Sequence, residues 1–165
     1  MSAQDVSRAV VAAPPGRRRR IKRVLVAFDG SAGAWAALEE GIAVAASEHA
    51  LLTVAAVVEE PALCVGMAPV AVPFTHDALR RDCERQMEQQ LAAARDEVPA
   101  TVSVTTRLLH GSPARVLVAL AHEGDYDLVV TGPRPAWCLR RLLGRSVTHS
   151  LLARARTSVL AVKAP

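Results

Sequence analysis

The chain alternates between short, unbroken apolar runs and longer segments in which apolar residues recur every three or four positions. An unbroken run is typical of a strand buried on both faces, and the wider spacing is typical of a helix with one buried face. Apolar runs predict strands over residues 24–28, 51–58, 128–131 and 158–163, and alternating residues predict a further strand over residues 102–109. Four helical segments separate them. We therefore predict a doubly wound α/β fold, an open five-stranded parallel sheet with helices on both faces.

Hydroxyl and proline residues mark the starts of the predicted helices. Ser31 follows the first strand and is expected to cap the first helix, and Thr75 to cap the longest one. Ser112 and Pro113 begin the third helix with a capping side chain and a proline at the first position. Ser146 begins the last helix.

The stretch 59–74 has no regular period and contains several prolines. Long irregular connections inside a compact domain are often functional lids, or are simply mobile. The sequence leaves both interpretations open.

Basic charge is concentrated at the beginning of the chain. The net charge of the 165 residues is +4, yet residues 1–23 hold seven basic side chains against the single Asp5. We expect a disordered basic arm over residues 1–20 and one folded domain over residues 21–165. The run Arg17–Arg20 is either a solvated charge cluster or a weak, salt-sensitive contact with a polyanion such as nucleic acid.

Composition narrows the class of protein further. No apolar run reaches the length of a membrane span, and no segment of signal-peptide type begins the chain, so we expect a cytoplasmic protein. The three cysteines lack metal-type spacing, which favours reduced thiols. Cys83 falls on the apolar stripe of the longest helix and is expected to pack there. Cys64 and Cys138 lie in predicted loops.

The candidate chemistry lies where two distant turns are expected to meet. In a doubly wound sheet, ligands bind beyond the carboxyl ends of the strands, where the winding reverses. If the reversal falls between the first and fourth strands, Asp29 and Gly132 face each other across one crevice. Asp29 could then accept hydrogen bonds from a ribose or base. The hydroxyls of Ser146 and Thr148 could hold phosphate oxygens at the start of the last helix.

Four motifs together resemble the universal stress protein domain, over about residues 21–163. They are Val24-Leu-Val-Ala-Phe-Asp-Gly-Ser31, Gly111-Ser-Pro-Ala114, Asp127-Leu-Val-Val-Thr-Gly132, and Ser146-Val-Thr148 followed by Ser158-Val-Leu-Ala-Val162. The resemblance implies a Rossmann-like sheet of the adenine nucleotide α-hydrolase-like type. It also implies a stress-associated protein that usually pairs as a homodimer through its last strand.

The same resemblance implies where a nucleotide, ATP or AMP, would lie. In the ATP-binding branch the phosphate loop reads Gly, two residues, Gly, nine residues, Gly, then Ser or Thr. Gly132 matches the first glycine, but Pro135 and Arg145 stand at the other two. The matching nucleotide-contact positions are Ala27, Asp29, Val57, Gly132, Ser146, Val147 and Thr148, with Phe28 beside them on the first strand.

The two replacements bear on the phosphate end of the site. Proline removes a backbone donor, and arginine adds a side chain where glycine lets the backbone approach the phosphates. The arginines of the loop, including Arg134, Arg140 and Arg141, could instead supply charge to a phosphate, or they are solvated and the site is empty. The adenosine end is better supported than the triphosphate end.

Three functions therefore compete. The first is a stress-associated regulatory or binding module that senses an adenine nucleotide through an altered loop. The second is a dimeric interaction protein with a vestigial pocket. The third, an ATP-hydrolysing enzyme, is the least supported, because the sequence has no Walker lysine in a glycine-rich loop and no Gly-x-Ser-x-Gly elbow. We expect no catalytic and no metal-ligating residues.

Overall fold

The computed structural model describes residues 20–59, 73–133 and 147–163. Its strands are β1 (Arg23–Ala27), β2 (Leu51–Val58), β3 (Val104–His110), β4 (Leu128–Thr131) and β5 (Ser158–Ala161). Its helices are α1 (Ala32–Glu48), α2 (Pro73–Asp96), α3 (Pro113–Glu123) and α4 (Val147–Arg154). The strands form one sheet in the order β3-β2-β1-β4-β5.

The winding of the sheet reverses at β1. This strand pairs in parallel with β2 on one side, where Val24 lies beside Leu52, and with β4 on the other, where Val24 lies beside Leu128. β2 also pairs in parallel with β3, and β4 with β5. The predicted five-stranded parallel sheet is confirmed, and so is the reversal between the first and fourth strands.

Alternate residues of the central strands build two separate cores, because successive side chains of a strand point to opposite faces. On one face Val24 and Val26 of β1 pack with the inner side of α1 and the last turns of α2. On the other face Leu25 packs with α3 and α4 through Leu117 and Leu151. Both faces of the sheet are covered, which explains the unbroken apolar runs.

The structure confirms some of the predicted helix starts and not others. Ser31 is the N-cap of α1, and its hydroxyl oxygen accepts a hydrogen bond from the Ala34 N–H at 3.2 Å. Ser112 occupies the N-cap position of α3 with Pro113 after it, but within the described part of the chain its side chain makes no capping hydrogen bond. The prediction for Thr75 was wrong, because α2 begins at Pro73 and Thr75 lies inside its first turn. Ser146 lies outside the described residues.

The expectation that Cys83 packs in the core was also wrong, since the residue is exposed. Glu84 beside it reaches His110, the last residue of β3, with 3.0 Å between Oε1 and Nε2. Among the α2 residues whose burial the structure describes, Leu91 and Ala94, in the last two turns, are the buried ones.

Hydrogen bonds anchor the start of β1 to the segment between α3 and β4. The backbone N–H groups of Lys22 and Arg23 donate to Asp127 Oδ2 at 2.9 and 3.1 Å, and the Arg23 guanidinium donates to the Gly124 carbonyl at 2.7 Å. Of the predicted arm only Arg20 is described, and residues 60–72 of the irregular stretch lie outside the described residues. Among the helices that are described, none has both the length and the apolar character needed to cross a membrane.

Candidate functional site

A cleft opens at the carboxyl edge of the sheet, where β1 and β4 end side by side. This is the edge at which doubly wound sheets bind ligands. Two helices, α3 and α4, contribute the far wall. The cleft is lined by Ala27, Phe28, Asp29, Ser31, Ala34, Val57, Pro113, Leu117, Thr131, Gly132, Val147 and Thr148.

The structure brings the predicted site residues together. Six of the seven positions line this one cleft, namely Ala27, Asp29, Val57, Gly132, Val147 and Thr148. Ser146, the seventh, lies outside the described residues, as do Pro135 and Arg145. Asp29 and Gly132 border the same crevice, as the predicted reversal at β1 requires.

The turn after β1 fixes Asp29 at the rim of the cleft. Asp29 Oδ1 accepts a hydrogen bond from the Ser31 N–H at 3.1 Å, and Ser31 in turn caps α1. Gly30 between them has a φ of 75°, a left-handed conformation that glycine adopts without strain. Asp29 therefore serves the turn and also lines the cleft.

The opposite wall is formed by the end of β4 and the start of α4. Thr131 closes β4, and its Oγ1 lies 3.3 Å from Thr148 Oγ1 on α4. Val147 is buried beside it and joins α4 to the core of that face. The first turn of a helix carries partial positive charge, so this wall presents hydroxyl groups and a helix N-terminus to the cleft.

The lining also contains residues that were not predicted. Pro113 and Leu117 come from α3, and Thr131 precedes Gly132. The sequence carried a signal for Pro113, because a helix that starts directly after β3 begins at the same edge of the sheet. Leu117 lies one turn further along α3, and only the packing of α3 on the sheet shows that it reaches the cleft.

The cleft is chemically simple on its described walls. Among the twelve described lining residues, Asp29 is the only one with an ionisable side chain; the others are apolar, glycine or hydroxyl-bearing. Within residues 20–59, 73–133 and 147–163 no group of three or more His, Cys, Asp or Glu side chains could hold a metal ion. Such walls suit an uncharged ring system with a few oriented polar groups.

Comparison with known proteins places the chain in a family. The universal stress protein family model matches residues 20–163. The stress response protein NhaX of Bacillus subtilis (strain 168) is 30% identical over 163 residues, covering 86% of this chain and 97% of the relative.

Solved structures show the same fold. A universal stress protein in complex with cAMP is 26% identical, with a TM-score of 0.64, covering 88% of this chain and 99% of that one. A family protein from Arabidopsis thaliana with AMP bound is 15% identical, with a TM-score of 0.60 over 87% of this chain and 92% of that one, and shows likeness of fold alone. This chain belongs to the universal stress protein family.

Proposed function

We propose that this chain is a stress-associated binding module that holds an adenine nucleotide in the carboxyl-edge cleft. The observation that carries the proposal is the convergence on one cleft of Asp29, Val57, Gly132 and Thr148, which come from four separate segments of the chain. The universal stress protein bound to cAMP supports the choice of ligand.

The two ends of the cleft suit the two ends of a nucleotide. Ala27, Val57 and Leu117 offer apolar surface to a base, and Asp29 at the rim offers a carboxylate oxygen to ribose or base donors. The phosphate end is the wall formed by Gly132 and Thr148 at the start of α4. Anions are stabilised at helix N-termini by the aligned peptide dipoles and by hydroxyl donors.

The charge of the walls favours a mononucleotide over ATP. Among the described lining residues there is a carboxylate and no cation, so on these walls only the start of α4 offsets the charge of a phosphate group. Pro133, directly after Gly132, has no N–H to donate, and the sequence places Pro135 and Arg145 at two positions of the phosphate loop. We therefore propose AMP or a cyclic mononucleotide as the ligand class.

The proposed module binds its ligand without transforming it. Hydrolysis of a nucleotide needs a group that activates water or a metal that stabilises the transferred phosphoryl group. Within the described lining, the only ionisable side chain is Asp29, which already accepts a hydrogen bond within its own turn. Steady release of phosphate from ATP that disappears on mutation of the 132–148 segment would contradict this assignment.

Ligand-dependent thermal unfolding tests the proposal. We expect millimolar AMP or cAMP to raise the unfolding temperature of the full chain, and Asp29→Ala to abolish most of that rise. Asp125→Asn is the matched control, because it removes a carboxylate at the opposite edge of the sheet, at a φ of 49° that asparagine tolerates. An unchanged unfolding temperature of the unsubstituted chain at millimolar nucleotide would reject the proposal.

The edge of the sheet supports a second proposed property, a homodimer through the last strand. β5 is the outermost strand on its side, and Leu160 within it is 37% exposed. Leu152 on the neighbouring α4 is 61% exposed. An edge strand with unpaired backbone groups and apolar side chains is a template for pairing with another chain. If no nucleotide binds, a dimeric interaction protein is the alternative function.

A further inference from the structure

Thr131 is the one polar residue of a fully buried strand. All four residues of β4 are buried, and the other three, Leu128, Val129 and Val130, are aliphatic. Thr131 itself is only 4% exposed. A buried hydroxyl without a hydrogen-bond partner lowers the stability of the fold. The hydrogen-bond partners of Thr131 therefore indicate what its hydroxyl does.

Among the described residues, two oxygens lie within reach of the Thr131 hydroxyl. Its Oγ1 is 3.4 Å from the Gly132 carbonyl oxygen, to which it can donate, and 3.3 Å from Thr148 Oγ1. A hydroxyl has one proton to donate and two lone pairs that accept, so the Thr131 proton can go to only one of these oxygens at a time. The contact with Thr148 therefore has two possible directions.

The direction decides what Thr148 offers to the cleft. If Thr131 donates to the Gly132 carbonyl, Thr148 can donate to Thr131, and its own proton is then used within the wall. If Thr131 donates to Thr148, the Thr148 proton is free for a ligand. A phosphate oxygen only accepts hydrogen bonds, so it selects the second direction. Both contacts, at 3.4 and 3.3 Å, are longer than a usual hydroxyl hydrogen bond, so exchanging one for the other costs little.

We propose that Thr131 is a positioning residue that orients the Thr148 hydroxyl as a donor to a ligand phosphate. This role rests on the proposed binding of an adenine nucleotide. It adds the residue that orients the hydrogen-bond donor at the phosphate end of the cleft. Thr131 also lines the cleft, but it is only 4% exposed and acts on the ligand through Thr148.

The test is calorimetric titration of the full chain with AMP and with adenosine, which lacks the phosphate. Thr131→Val keeps the branched shape and removes the hydroxyl, and is expected to weaken AMP binding about 3- to 10-fold, the usual range for one net hydrogen bond. Adenosine binding should not change. Thr131→Ser restores the hydroxyl and should bind AMP within about threefold of the unsubstituted chain. A merely structural role would weaken both ligands together.

A double-substitution cycle with Thr148→Val completes the test. The two hydroxyls act as one unit, so Thr131→Val in the Thr148→Val background should cause little further loss of AMP affinity. Equal AMP affinity of Thr131→Val and the unsubstituted chain, or losses that simply multiply, would overturn the positioning role while leaving nucleotide binding intact. If the unsubstituted chain binds neither ligand, both proposals fail. Should Thr131→Val not fold, Thr131→Cys, of similar size but a weak donor, takes its place.

Discussion

The backbone of Gly132 lies directly against the backbone of Gly33, so a Cβ on Gly132 would overlap the Gly33 carbonyl group. The close approach continues at the next residue, since a Cβ on Gly33 would overlap the carbonyl of Pro133. The start of α1 and the end of β4 can therefore approach each other only with glycine at both positions. This close approach, and not a left-handed backbone, is what Gly132 provides to the cleft.

Gly132→Ala is accordingly expected to force these two segments apart. The cost of such overpacking is about 1–3 kcal/mol in the free energy of unfolding, and AMP binding should weaken because the wall of the cleft moves. Gly41→Ala is the matched control, because its Cβ would meet Val26 in the core rather than at the cleft. It should lower stability, measured by urea unfolding, yet leave AMP affinity unchanged. Equal effects of the two substitutions on affinity would contradict this account.

The two serine caps predict different costs for the same substitution. Ser31→Ala removes the hydroxyl that accepts from the Ala34 N–H and should cost about 1 kcal/mol. Ser112→Ala should cost less than about 0.5 kcal/mol, because in the described structure its side chain makes no capping hydrogen bond. Denaturant unfolding of both variants measures the difference. A Ser112→Ala cost as large as that of Ser31→Ala would show that the Ser112 hydroxyl caps α3 in solution.

Pairing through the last strand predicts that a charge on β5 separates the two copies. Leu160→Lys should change the mass measured by light scattering from twice the chain mass of 17.5 kDa to the chain mass itself. Leu51→Lys is the matched control, because Leu51 is also an exposed strand leucine, at 52%, but lies at the start of β2. It should leave the dimer intact. A monomeric unsubstituted chain at micromolar concentration would contradict the proposed pairing.

Deletion of the basic arm is expected to weaken binding to a polyanion without changing the stability of the folded domain. Deleting residues 1–19 removes the arginines at 8, 17, 18 and 19, so the shortened chain should elute from heparin at lower salt. Its unfolding temperature should be unaltered, because the described anchoring begins with Lys22 and Arg23 on Asp127. Unchanged elution would reject contact with a polyanion, and a large loss of stability would reject a domain that begins at residue 21.

The sequence predicts the sheet well because buried strands have a strong local signature. The apolar runs at 51–58 and 128–131 coincide with β2 and β4, and the positions of Asp29 and Gly132 follow from the parallel topology. The exposure of Cys83 could not be predicted in the same way. A helical stripe shows which side of α2 is apolar, but not which of its turns pack against the sheet.

The polar wall of the cleft was also only partly predictable. Thr148 was predicted from its place after the loop, but Thr131 looks in sequence like any threonine at the end of a strand. Their hydroxyl contact joins residues 17 positions apart and depends on how α4 packs on the sheet. The contact of Gly33 with Gly132 likewise depends on the distance between two elements, which periodicity does not encode.

Calorimetric titration of the full chain with AMP, cAMP and ATP tests the central claim most directly. We predict that AMP or cAMP binds at least about tenfold more tightly than ATP, a difference of about 1.4 kcal/mol, because the described walls offer a carboxylate and no cation to the extra phosphates. The preference should shrink at higher salt, which screens the repulsion. ATP binding more tightly than both mononucleotides, or no binding of any of the three, would contradict the account.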